Sequence, residues 1–253
     1  MLAELLGVPV EDRYRFRSWG DMIAASPTDT TDAAHSEAIE RRIEGIEAMS
    51  DYIIGLIGER EAAPRDDLLS HMVEADDLGA SEIIAFTILL LMAGDKTVAT
   101  FTSNALWTFI EEDHLDPLLD GRVDLDDALE EVLRYRSPIA STSRMMKTDA
   151  KIGGETIPAD ELVVAWIGSA NRDERLFDEP EVFDPTRDTS RHIAFSNGAH
   201  TCIGKHLAKI EVTIALEAFL DRVETINVAT DDPSPFGSRV VYGLENLPVR
   251  YTA

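Results

Sequence analysis

The sequence predicts a mainly α protein with small β-sheets, on three observations. An apolar-rich helical run occupies about 81–112. Two amphipathic runs, Leu125–Tyr135 and Lys205–Leu220, flank a Thr/Val-rich stretch. That stretch carries Gly153-Gly154 and Pro158, the punctuation of short strands. Residues 1–136 are expected to be mostly helical. Residues 137–253 are expected to mix strands, a meander, a loop around the unique cysteine and a following helix. No internal repeat and no long Gly/Ser or Pro linker breaks the 253 residues, so a single domain is expected.

Within the long helix, Ile83 to Ala93 is an unbroken apolar or near-apolar run of eleven residues, short of the ~20 that span a bilayer. A central core helix is the better reading. Gly94 in its interior costs ~1 kcal/mol relative to Ala. That cost makes sense where something approaches the backbone closely, with the Thr97 hydroxyl nearby. A packing irregularity beside a surface threonine is the other reading. In Leu125–Tyr135, Glu131 and Arg134 stand three residues apart on one helix face and can hydrogen-bond. Alone, such a pair is common on solvated helices. Ser141-Thr142-Ser143-Arg144 then leads into the strands.

Cys202 is the only cysteine, in Phe195-Ser196-Asn197-Gly198-Ala199-His200-Thr201-Cys202-Ile203-Gly204. It precedes Lys205–Leu220, where unpaired backbone N–H groups and the positive end of a helix dipole stabilise an anionic sulfur. One thiolate is a poor zinc site, because structural zinc needs several closely spaced ligands. It suffices as the single axial ligand of a haem iron. The plain alternative is a buried free thiol. Gly198 permits a sharp turn, and His200 can reach an anion from it.

This decamer resembles the cysteine-ligand loop of the cytochrome P450 family, F-G-x-G-x-H-x-C-x-G, with Ser196 at the first glycine position. A positive φ there would strain the serine. Other segments fit in order. Glu131-Val132-Leu133-Arg134 resembles the family's E-x-x-R, and Phe183-Asp184-Pro185-Thr186-Arg187 its meander. Together they imply a scaffold triad of Glu131, Arg134 and Arg187. Ala93-Gly94-Asp95-Lys96-Thr97 resembles the oxygen-binding segment, with Lys96 where an acid is usual. One position is ~100° around a helix, so Asp95 does not simply replace it. Ala170-Asn171-Arg172-Asp173 and Leu247-Pro248-Val249 are also similar to family segments.

The resemblance implies haem b held by Cys202, with Arg144 and His200 on its propionates and Phe195, Gly198 and Gly204 shaping the loop. Ala93, Gly94 and Thr97 would form the oxygen site. Substrate contacts are expected from 88–97, 139–143 and 236–241, with Ile88, Ile139, Ala140 and Val240 lining the pocket. The implied activity is monooxygenation of a small hydrophobic molecule with O₂ and electrons from a ferredoxin-type donor. A non-catalytic remnant and a peroxide-dependent relative are the alternatives. The opening, Glu4 to Pro9 and onward, resembles an internal family segment, so the family's N-terminal third is expected to be missing.

Forty-eight acids against 23 bases give a net charge of −25, with only five lysines. The acids are dispersed, as in halophilic proteins, where molar salt shortens the Debye length to ~3 Å and tolerates self-repulsion. Nucleic acid and anionic membrane are poor partners for such a surface. No targeting segment is visible and no intrachain disulfide is possible, which fits a cytoplasmic setting. Lys205 and Lys209, one helical turn apart, form a basic exception near Arg191, His192 and His206. They are read either as ordinary solvated charges or as a docking point for an acidic electron donor.

Overall fold

A computed structural model of the chain describes residues 1–25, 31–229, 234–235 and 238–252. They fall into two compact units, Met1–Lys96 and Thr97–Ala253.

The first unit is helical: α1 (Leu2–Leu5), α2 (Arg13–Ile23), α3 (Asp32–Ala62), α4 (Leu68–Glu74) and the first half of α5 (Ala80–Glu111). α3 starts where Thr31, in extended backbone, accepts the Ala34 N–H at 3.2 Å, satisfying one free donor of the first turn. Asp67 caps α4 in the same way, accepting the Ser70 N–H at 2.8 Å. Its other oxygen receives Nε of the buried Arg60 at 2.9 Å, and Arg60 Nη2 donates to the Gly7 carbonyl at 2.6 Å. One buried cation thus ties α3 to both the α4 cap and the turn after α1. Around it Leu6, Phe16, Met49, Ile53, Leu69 and Ile83 form an apolar core.

The second unit holds the rest of α5, then α6 (Leu115–Leu119), α7 (Leu125–Tyr135), α8 (Ile167–Ala170) and α9 (Lys205–Leu220). Asp124 caps α7, accepting the N–H groups of Asp126 and Asp127. α7 buries Leu129, Val132 and Leu133 against Phe101, Phe109, Val212 and Leu216. That spacing is the one its sequence pattern demands. Three antiparallel strand pairs complete the unit. β1 (Ser141–Met145) pairs with β4 (Leu162–Trp166), so that Arg144 faces Val163. β2 (Ala150–Ile152) and β3 (Glu155–Ile157) form a hairpin across Gly153-Gly154. β5 (Thr225–Val228) pairs with β6 (Val249–Thr252).

The full length of α5 changes one sequence-based expectation. Counting Ile83 to Ala93 alone gave too short a span, whereas the whole helix is long and apolar enough, by length and composition, to cross a membrane. Only 17% of its most apolar window is buried, so it is less enclosed than a core helix should be. Ala85, Leu89 and Ala93 recur every four residues, share one face, and are all exposed.

Candidate functional site

α7 carries a sealed, fully buried polar cluster. Glu131 and Arg134 are both fully buried and pair through two hydrogen bonds of 2.7 Å. Two ions in low dielectric are tolerable only when every remaining donor and lone pair is occupied. Here they are well supplied. Arg134 also donates to the carbonyls of Asn171, Pro180 and Val182. Glu131 Oε1 accepts the Asp184 N–H at 3.0 Å and Arg187 Nε at 3.3 Å. Arg187 in turn donates to the carbonyls of Asp178, Glu179 and Val182. The structure therefore brings Glu131, Arg134 and Arg187 together, and their charges hold an irregular chain at 178–187 that has no ladder of its own.

The cysteine loop hangs from this cluster. Asn171, buried beside Arg134, donates from Nδ2 to Ser137 Oγ and accepts the Ile193 N–H on Oδ1, both at 2.8 Å. At the tip, a single 3₁₀ turn, Gly198–His200, is capped by Asn197. The Cys202 N–H then returns to the Phe195 carbonyl at 2.9 Å and closes the loop. Gly198 has φ +75° and needs glycine there; Ser196 has φ +62°, so the serine does occupy a left-handed position and bears the strain. Cys202 is exposed, which removes the buried-thiol reading.

Arg144 is exposed on β1, its Nη1 hydrogen-bonded to Thr142 Oγ1 and the Ser143 carbonyl, each at 2.8 Å. Among the described residues it has no carboxylate partner. His200 is likewise exposed. Ile139 and Val241 form an antiparallel bridge, and the Ala140 N–H donates to the Val240 carbonyl at 2.7 Å. That brings Ile139, Ala140 and Val240 into one patch; Phe236 and Gly237 of the 236–241 segment lie outside the described residues.

Ile88, Ala93, Gly94 and Thr97 lie on α5. A Cβ at position 94 would stand 2.6 Å from Leu2 Cδ2, so in this structure close approach at Gly94 is made by a leucine side chain. Lys96 Nζ pairs with Asp21 on α2 at 3.0 Å, both side chains about half exposed, which fixes where its charge points.

Sequence reasoning passed over Glu130. Its Oε2 lies 3.0 Å from His192 Nε2, and its Oε1 takes Lys209 Nζ. Hydrogen bonding from His192, and then from Lys209, holds its carboxyl down to about 2 against the opposing effect of burial. These three line an open groove of about 960 Å³ with Arg191, Lys205 and His206.

An exposed thiol on a glycine-bent loop, anchored to a sealed Glu–Arg–Arg cluster beneath a helix start, defines the class: a helical protein built to present a single sulfur. Among the described residues no group of three or more His, Cys, Asp or Glu is placed to hold a metal ion, so the thiol stands without protein co-ligands. The sequence model described as "Cytochrome P450" matches residues 124–251. Cytochrome P450 109 of Bacillus spizizenii is 34% identical over 263 residues, covering 100% of this chain and 64% of that protein. The 6-deoxyerythronolide B hydroxylase of Saccharopolyspora erythraea is 33% identical over 260 residues, covering 99% and 62%. The crystal structure of CYP109E1 from Bacillus megaterium in complex with testosterone superposes with a TM-score of 0.89 at 34% identity, covering 100% of this chain and 69% of that one. The chain belongs to the cytochrome P450 family. It spans 64% of the length of the curated relatives it matches first. The family's cofactor is haem b, and the residues present fit it: one exposed thiol, an unpaired arginine and an exposed histidine.

Proposed function

We propose that the chain is the haem-thiolate part of a monooxygenase, in which Cys202 Sγ would hold the haem iron. The single observation that carries this is the exposed thiol on a loop tied to the buried Glu131–Arg134–Arg187 cluster. Bound haem would supply the oxidation, placing one atom of O₂ in a substrate C–H bond and releasing the other as water, with two electrons and two protons consumed. The protein's own residues bind and orient. Arg144 and His200 neutralise the propionate carboxylates, while Phe195, Gly198 and Gly204 shape the loop around the sulfur. Thr97 holds a proton donor beside Ala93 and Gly94 without help from Lys96, whose ammonium is engaged by Asp21. Ile139, Ala140 and Val240 in the second unit, and Ile88 in the first, would each offer apolar surface suited to a small hydrophobic substrate. The test is titration of the purified chain with haem. One haem per chain, with a red-shifted thiolate band in the ferrous–CO spectrum, is expected; failure to take up haem contradicts the proposal.

Electrons would come from an acidic ferredoxin-type donor docking at the basic groove. Lys209 is committed to Glu130, whereas Lys205 and Arg191 have no ion pair among the described residues, so these two carry the attraction. Lys205→Glu should slow reduction of the iron and leave haem binding intact; an unchanged reduction rate would remove this docking site. The dispersed charge of −25 supports a halophilic, cytoplasmic reading and disfavours nucleic acid and anionic membrane as partners. Its melting temperature should climb with added KCl, and indifference to salt would contradict the halophilic reading.

A further inference from the structure

Glu130 touches neither the sulfur nor the buried cluster, yet its two oxygens reach the two flanks of the cysteine loop. His192 enters the loop ten residues before Cys202, and Lys209 lies on α9, seven residues after it. We propose that Glu130 is a positioning residue for the sulfur: a clip on α7 that holds both ends of the cysteine loop and so fixes the span in which Cys202 is presented. The inference rests on the haem-thiolate reading for its consequence, but its geometry is independent of that reading.

Three observations carry it. His192 Nδ1 accepts the Ala194 N–H at 3.2 Å, which leaves Nε2 as the protonated nitrogen and makes it the donor to Glu130. The imidazole is thereby fixed on both sides and transmits the position of Glu130 to the chain just ahead of Phe195. Phe195 supplies the carbonyl that closes the loop on the Cys202 N–H. On the other flank, the ammonium of Lys209 draws the second turn of α9 toward the same carboxylate. All three side chains are partly shielded, with His192 only 10% exposed, so the clip is less screened than an open surface pair. Among the described residues no other hydrogen bond or ion pair bridges 192 and 209. Glu131, next along α7, is rotated by ~100° and serves the meander instead.

The experiment compares the full chain with Glu130→Gln and His192→Gln, first without haem. A glutamine at 130 has one acceptor oxygen and an NH₂ that repels the second donor, so one flank is released. A glutamine at 192 keeps a donor toward Glu130. In Glu130→Gln, amide hydrogen exchange at Ala194 and Cys202 should accelerate at least about tenfold, while exchange in the middle of α7 and α9 stays at the parent rate. His192→Gln should retain most of that protection. With haem added, Glu130→Gln should show a diminished thiolate band in its ferrous–CO spectrum at unchanged haem uptake. Unaltered loop exchange, or exchange that rises equally through both helices, overturns the proposal. If the parent chain takes up no haem, the haem-thiolate reading fails on its own, and the exchange comparison still decides whether Glu130 is the clip.

Discussion

Neighbouring carboxylates on α7 show two ways of holding irregular chain. Glu131 is fully buried, meets two arginines and a backbone N–H, and fixes the meander. Glu130 is partly open and joins a histidine and a lysine across the cysteine loop. Removing water makes the first arrangement strong but unforgiving, since any lost partner strands a buried charge. The second keeps solvent nearby and is adjustable. The lesson is one of location: the rigid cluster sits where the fold must not change, and the adjustable clip sits beside the sulfur proposed to hold the iron.

The sharpest way to break the comparison is Arg134→Ala. It leaves the buried Glu131 with only the longer Arg187 contact and the Asp184 N–H on one oxygen, and should cost ~3–5 kcal/mol in denaturant unfolding, a large part of a stability of ~5–15 kcal/mol. A loss below ~1 kcal/mol would show that the cluster relaxes as an exposed pair does.

Acid should then separate the two carboxylates. Glu130 is held down to about 2 in the folded chain against an ordinary 4.5, so the native state binds protons less readily there than the unfolded one. Its contribution is present in full above about pH 4.5 and is lost as pH falls toward about 2. Exchange protection of the Cys202 amide should fall across that window in the parent chain. Glu130→Gln, already lacking the charge, should show a flatter profile; two parallel profiles would mean that Glu130 does not govern the loop.

The smallest effect sharpens the picture at the loop itself. Ser196 sits at φ +62°, where a Cβ costs ~1–2 kcal/mol. Glycine loses part of that gain through the freedom of its unfolded chain. Ser196→Gly should therefore stabilise by at most ~1 kcal/mol, visible as a slightly raised thermal midpoint. A destabilisation would mean that the serine side chain earns its place by a contact.

Much of this was legible in the amino-acid order because it depends on local pattern. α7 and α9 occupy the runs whose apolar periodicity marks them, and Glu131 with Arg134 falls on one face by spacing alone. α3 left no such mark. Its exposed Ile39, Ile43 and Ile46 lie beside its buried face, which blurs the contrast that amphipathicity needs. The Glu130 clip was illegible for a different reason: its members stand 62 and 79 positions apart, and each looks like an ordinary solvated charge. The Arg60–Asp67–Gly7 knot was hidden likewise, since burial of a cation is a property of the packed chain. Asn171 is intermediate, its segment flagged by resemblance but its link from Arg134 to the loop given only by coordinates.

The central proposal is that the sulfur of Cys202 would hold the haem iron, and the most direct test compares the ferrous–CO absorption of the parent chain and Cys202→Ala after identical haem loading. Because the thiol is exposed and packs against nothing essential, the variant should fold with near-parent stability. The account predicts a red-shifted thiolate band in the parent that is absent from the folded variant. The same band in both proteins would contradict it.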